Sequence, residues 1–351
     1  MGRLERILER GQYSELRRRI VRWGMRPLFR GSDGRMVSTH GLSEKNIHRV
    51  LICRPNHRLG NLLLVTPLVI EIQRLFPNAD VDIVLAGEHV AELFQGFPNV
   101  RHIHNLSRRM VRHPVALART MLQIRRAHYD LAIDPCETSQ SGRLLAAVAK
   151  PKHVIGPPRR RSTEGPLPAW VKHAPTHMAQ WPVYMLRAAT QAESPDLCRE
   201  FPTLDIRLTA DERQRARVIL DRMLHAEDNR PGVIVGVFAE ATGAKSYGSD
   251  WWRRFISAIQ AEHPGVAIVE IAPPDGRPRL VTDLPFFSSR SPREVAAVIA
   301  NMTCFVSADC GVMHLASASG APTLGLFSVT EALKYAPYGH GSLALDTRGK
   351  S

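Results

Sequence analysis

Twice along this chain, short β-rich apolar runs alternate with segments of helical spacing, and that alternation restricts the fold more than any other feature. In the first set, RVLIC (Arg49 to Cys53), VDIVLA (Val81 to Ala86), LAID (Leu131 to Asp134) and HVIG (His153 to Gly156) are separated by helical stretches at 66–76, 88–95, 114–127 and 142–150. In the second, GVIVGVFAEAT (Gly232 to Thr242), VAIVEIA (Val266 to Ala272), CFVSAD (Cys304 to Asp309) and PTLGLFS (Pro322 to Ser328) are separated by helical stretches at 251–263, 292–301 and 312–319. Strands that alternate with helices make βαβ units and a mostly parallel sheet. The pattern weakens across PPRRRSTEGPLPAW and HAPTHMAQWP, between the two sets. A length of 351 residues also suits two domains. The expectation is an α/β chain with two Rossmann-like domains facing a central cleft. The divisions are a basic helical extension and linker (1–46), an N-terminal domain (47–185), a connection (186–230), a C-terminal domain (231–340) and a tail (341–351). Ligands of open α/β sheets bind beyond the carboxyl ends of the strands, which here means the cleft.

The charge is uneven. Residues 1–175 hold 29 Lys and Arg against 14 Asp and Glu, whereas residues 176–351 hold 18 against 19. An excess confined to one half points to an acidic partner: nucleic acid, an anionic membrane or a phosphorylated substrate. Nucleic acid is disfavoured, because the arginines from Arg101 to Arg126 are not interleaved with aromatic side chains for base stacking. Residues 3–23 form a basic amphipathic segment suited either to an anionic lipid surface or to docking on the protein's own body. Five cysteines without a CxxC pair suit reduced thiols in the cytoplasm. No apolar run approaches the roughly 20 residues of a membrane span. The expected location is the cytoplasm, with the protein either soluble or resting peripherally on the surface of the inner membrane.

No GxGxxG follows a strand and no GxxxxGK[ST] occurs, which argues against a dinucleotide oxidoreductase or a P-loop NTPase. Asp80-Val81-Asp82 reads as strand alternation rather than a metal site, and His102/His104 and His173/His177 read as surface histidines. Two stretches carry chemistry. RPNHRLGNLLLVTP (Arg54 to Pro67) is a polar, glycine-containing turn between a strand and a helix, a setting that presents backbone N–H groups to a phosphate or sugar. FVSADCGVMHLASASGAPTLGLFSVTEALKYAPYG (Phe305 to Gly339) is a strand ending at Asp309, a Cys310-Gly311 turn and a helix with His314 in its first turn. The free N–H groups of that helix suit a diphosphate or sugar hydroxyls, and Asp309 can accept from hydroxyls.

Together these motifs resemble family 9 glycosyltransferases, whose best-known members are lipopolysaccharide heptosyltransferases; the likeness runs from about residue 48 to about 340. A less specific third motif, ATGAKSYGSDWW (Ala241 to Trp252), matches the loop with which family members hold nucleotide diphosphate, at Thr242 and Lys245. The resemblance implies a GT-B fold and a metal-independent, inverting transfer with no cofactor. The implied donor is a nucleotide-diphosphate sugar, ADP-linked by default, carrying heptose or another hexose-type sugar. The implied acceptor is a lipopolysaccharide core or related anionic glycolipid. On the donor side the candidates are Thr242, Lys245, Glu270 (for ribose, with Asp275 competing), Asp309, Cys310, Gly311 and His314. On the acceptor side they are Arg54, Arg58, Gly60, Arg108, Arg109 and Arg160, with Arg101, Arg112, Arg159 and Arg161 as further choices.

The sequence departs from the family at Asn61, where heptosyltransferases carry the aspartate taken as general base. An amide cannot accept a proton at neutral pH. The base is then His57, Glu137 or Asp134; or Asn61 merely orients the hydroxyl; or the protein binds glycolipid without turning over a donor. An imidazole titrates near neutrality, which ranks His57 first.

Overall fold

The computed structural model describes residues 42, 46–87, 89–106, 113–136, 140–157, 169–190, 195–225, 231–280 and 284–349. The basic segment 3–23 and the candidates Glu137, Arg108, Arg109 and Arg160, with Arg112, Arg159 and Arg161, lie outside them.

The N-terminal half is a five-stranded parallel sheet of order β3-β2-β1-β4-β5. β1 (Arg49–Cys53) is central and buried from Val50 onward, so RVLIC reads as one apolar run rather than an alternation. β2 (Asp80–Leu85) and β4 (Leu131–Ile133) flank it, with Ile52 opposite both Ile83 and Ile133. β3 (Val100–Asn105) and β5 (His153–Ile155) are the edges. α1 (Leu59–Leu63) and α2 (Thr66–Leu75) follow β1. α3 (Pro114–Arg126) and α4 (Gln140–Ala149) cover the face carrying Leu51, Cys53 and Val84. α5 (Gln180–Thr190) is buried along nearly its whole length.

α6 (Ala210–Met223) lies within the segment read as a connection and opens with a capping box between Thr209 and Glu212. The C-terminal half is a six-stranded parallel sheet of order β11-β10-β9-β6-β7-β8. Its strands are β6 (Val233–Phe238), β7 (Val266–Ile271), β8 (Phe286–Phe287), β9 (Cys304–Ala308), β10 (Thr323–Phe327) and β11 (Leu343–Asp346). α7 (Ser249–Glu262), α8 (Pro292–Ile299), α9 (Gly311–Ser319) and the short α10 (Ala332–Tyr335) complete it.

Four local expectations change. The stretch 88–95 contains a single 3-10 turn, Ala91–Phe94. VRHIHN is a strand although no run was expected there; as an edge it keeps Arg101 and His102 exposed, which dilutes its apolar signal. The tail contributes β11, paired in parallel with β10. His177 is buried rather than superficial, bonded through Nε2 to the carbonyl of Ala336 at 2.9 Å.

The two halves are laced together behind the cleft. The backbone N–H of Asp205 donates to Thr66 Oγ1 at 3.3 Å and that of Ile206 to the Ala318 carbonyl at 3.1 Å, so one strap touches both. Arg207 beside them donates to Gln73 Oε1 at 2.6 Å and lies over the Phe97 ring. Buried Arg293 pairs with Glu212 at 2.7 Å and donates to the carbonyls of Ile206 and Arg207 at 2.8 and 3.1 Å. Ser291 reaches Glu92 of the N-terminal half at 3.0 Å.

Candidate active site

The apolar strands β6 and β9 end side by side in the C-terminal sheet, and each delivers a turn to the cleft. After β6, Thr242 opens a 3-10 turn, Gly243–Lys245, that carries Lys245. After β9 comes Asp309, only 6% exposed, whose backbone N–H is held by the Leu326 carbonyl at 3.0 Å. Lys245 Nζ lies 2.5 Å from Asp309 Oδ2, and the Thr330 hydroxyl donates to the same oxygen. A cation, a carboxylate and a hydroxyl therefore meet at the carboxyl edge of the sheet.

Cys310 is the N-cap of α9, in extended conformation, with its sulfur 3.3 Å from Ser307 Oγ and facing the N–H groups of Val312 and Met313. Burial pushes its thiol up, so it stays protonated. His314 follows within the first turns of α9. It is buried, and loss of hydration pushes its imidazole down to about 4, which leaves it neutral near pH 7. Its Nδ1 has no hydrogen-bond partner among the described residues.

The opposite wall is the turn after β1. Asn56 organises it: its Oδ1 accepts from Arg58 N at 2.8 Å and its carbonyl accepts from Ala86 N at 2.9 Å. His57 and Arg58 are exposed, and α1 begins at Leu59. α1 then packs closely on α9, each helix's glycine lying against a side chain of the other. A β-carbon on Gly60 would stand 2.7 Å from His314 Cδ2, and one on Gly311 would stand 3.1 Å from Leu59 Cβ. The two glycines are required by close approach, and they bring the turn holding Asn61 against the helix end holding Cys310 to His314.

Behind Asn61, Arg54 is 7% exposed and donates from Nε to the Asn61 carbonyl at 3.4 Å, so it is built into the turn. Asp134, at the end of β4, is 1% exposed; its Oδ1 accepts from Cys136 N at 3.2 Å, while Oδ2 has no partner among the described residues. Burial raises it to about 7, opposed by the charges of Arg143 and Arg54. The Gly142 backbone at the start of α4 fits against this carboxylate, since a β-carbon there would be 2.6 Å from Oδ1. Glu270 is 1% exposed and its carboxylate is taken up by backbone groups: Oε1 accepts from Arg279 N at 2.6 Å and Oε2 from Leu280 N at 3.2 Å, which anchors the 273–280 loop. Asp275 is exposed and paired with Arg279 at 2.9 Å. The Asp-x-Asp pair is engaged as well, Asp80 with Arg101 at 2.8 Å and Asp82 with the Tyr129 hydroxyl at 2.6 Å.

Thus Lys245, Asp309, Cys310, Gly311, His314, Gly60 and Asn61 form one constellation. Thr330 was missed, although its place just beyond β10 is a usual position for a cleft-facing side chain.

A family profile described as glycosyltransferase family 9 (heptosyltransferase) matches residues 117–347. The chain belongs to this family. It is a glycosyltransferase of heptosyltransferase type, with two parallel α/β sheets in the GT-B arrangement. Among solved structures, it resembles a family 9 glycosyl transferase from Veillonella parvula at 15% identity and a TM-score of 0.68, covering 88% of each chain. ADP-heptose lps heptosyltransferase II from E. coli matches at 16% identity and 0.64, over 85% of this chain and 90% of that one. E. coli heptosyltransferase WaaC, solved with ADP, matches at 18% and 0.58, over 84% and 92%. At these identities the likeness speaks for the fold. A comparison with curated protein sequences finds no match.

Proposed function

We propose that this glycosyltransferase moves heptose or another hexose-type sugar from a nucleotide-diphosphate donor, ADP-linked, to a lipopolysaccharide core or related anionic glycan. The observation that carries the reading is the Lys245–Asp309–Thr330 group beside the N-terminus of α9, pressed against the turn of Asn61. Lys245 and the N–H groups from Cys310 to Val312 neutralise charge that develops on the leaving diphosphate. Asp309 accepts from sugar hydroxyls. The acceptor hydroxyl attacks the anomeric carbon from the face opposite the leaving group, so configuration inverts. No metal is needed in this scheme, because fixed positive groups do the neutralising.

On the acceptor side, Asn61 orients the attacking hydroxyl. His57, exposed in the turn just before α1, takes its proton. Among the described residues Asp134 is the other choice, after Glu137 in the sequence ranking: its carboxyl titrates at about 7 but is almost wholly covered. Arg58 is the exposed arginine of the turn and contacts the anionic acceptor. That WaaC was also solved with ADP-2-deoxy-2-fluoro heptose supports an adenine-linked donor here. The rival reading, a glycolipid-binding protein without turnover, draws only on Asn61.

Calorimetric titration with ADP, UDP, GDP and CDP, repeated on Lys245→Ala, tests the donor site. Binding of one nucleotide, weakened about 10- to 100-fold in the variant, is expected from the loss of one charge-assisted contact. Absence of binding by all four sinks the donor assignment and favours the rival.

A further inference from the structure

The exposed face of α3 (Pro114–Arg126) has no counterpart in the catalytic scheme. The helix packs its inner side on the sheet through Ile124, which is fully buried against the cluster of Leu51, Cys53 and Ala146. Its outer side is unlike a solvated helix face. Val115 is 74% exposed and Leu122 47%, and at helical spacing they form one ridge with exposed Ala118. Arg119, Arg125 and Arg126, all exposed, flank that ridge. The helix has no acidic residue, and the sequence from 93 to 129 contains seven arginines and no aspartate or glutamate. An apolar ridge bordered by arginines and Gln123, with no anion beside it, matches an anionic bilayer surface, where arginines meet lipid phosphates and short apolar side chains enter the headgroup boundary.

The placement fits a lipid-anchored acceptor. β3 ends at the carboxyl edge of its sheet, where Leu106 N donates to the Leu85 carbonyl at 2.7 Å. α3 then runs back, and its last turn meets the amino edge, where Arg49 donates to the Ala127 carbonyl at 2.8 Å. The Val115 end therefore stands on the cleft side, and about 20 Å of helix lies along the outside of the N-terminal half.

We infer that α3 is a membrane-docking helix that seats the N-terminal half on an anionic lipid surface, with the mouth of the cleft beside the bilayer. This goes beyond the transfer reaction and does not depend on which sugar moves.

The test uses the full chain in co-sedimentation with vesicles of phosphatidylcholine, alone or mixed with phosphatidylglycerol. Two variants are compared, Val115→Asp with Leu122→Asp, and Arg119→Ala with Arg125→Ala and Arg126→Ala. The wild type should sediment with the mixed vesicles only, and each variant should partition at least about tenfold more weakly. Nucleotide titration of the same variants should match the wild type, which separates this result from any failure of the donor site and verifies folding. Undiminished partition by the variants places lipid contact elsewhere, residues 1–30 included, and overturns the inference. So does a wild type that ignores anionic vesicles or binds neutral ones equally.

Discussion

Replacing Gly60 with alanine is a sharp perturbation of the contact between the two halves. The added methyl would lie 2.7 Å from His314 Cδ2, whereas ordinary contact begins at 3.4 Å; the deficit is 0.7 Å (3.4 − 2.7). His314 cannot swing aside, because it is buried, and the Gly311 backbone at 3.4 Å closes the other direction. The relief available is for α1 and α9 to part. Overpacking of this kind costs about 1–3 kcal/mol of stability. The catalytic consequence is larger, since the shift separates the acceptor turn from the donor helix, and a displacement near 1 Å in a reacting geometry costs about 100-fold in rate. The assay is release of nucleotide diphosphate from the sugar donor that calorimetry selects, with and without acceptor. Turnover should fall by about two orders of magnitude while nucleotide affinity stays within about threefold, because the contacts proposed for the diphosphate all lie in the C-terminal half. Gly265→Ala, where a β-carbon meets nothing within 4 Å, is the control and should leave turnover unchanged. Wild-type turnover in Gly60→Ala would refute the close-approach argument. A parallel loss of nucleotide binding would refute the division of labour between the halves.

Asp134 is raised from 3.8 to about 7 by burial, so its ionisation opposes folding above that range; the difference corresponds to about 4 kcal/mol. Asp134→Asn should therefore raise the melting temperature at pH 8 and leave it nearly unchanged below about pH 3, where the carboxyl is neutral in both folded and unfolded chains. Glu212 has the opposite sign: its bond with Arg293 holds it down to about 2, so its stabilisation is complete above its ordinary range and fades as pH falls from about 4.5 toward 2. In Arg293→Met, acid unfolding followed by circular dichroism should lose that component. Glu71→Ala would strand Arg187, which is buried and bonded to Glu71 at 2.8 Å and to the carbonyls of Arg199 and Glu200; a loss of about 3–5 kcal/mol in denaturant unfolding is expected.

The fold was legible because its central strands are uninterrupted apolar runs, as a sheet covered on both faces requires, and β1, β6, β7, β9 and β10 announce themselves in that way. β3 did not, because an edge strand keeps polar side chains. α6 is mostly polar, yet its T-x-x-E capping box at Thr209 and Glu212 was a usable local signal. In the site, the turn after β9 could be read whole because its residues are adjacent in sequence. The contact of Gly60 with His314 could not, since it joins positions some 250 residues apart and glycine marks no partner. Buried Arg187 and Arg293 were equally invisible, because an arginine in a basic chain looks like surface until its carbonyl and carboxylate partners are seen.

The strap from Asp205 to Arg207 gives the cleft a preferred angle. Its backbone is bonded to Thr66 on one side and Ala318 on the other, while Arg293 grips two of its carbonyls. A joint of this kind behaves as a hinge with a detent. Small rocking is elastic, and wide opening must first break several buried polar contacts. Parting the walls widely therefore carries a cost set by contacts remote from the cleft itself, so a change in the strap would alter how α1 meets α9 without touching either.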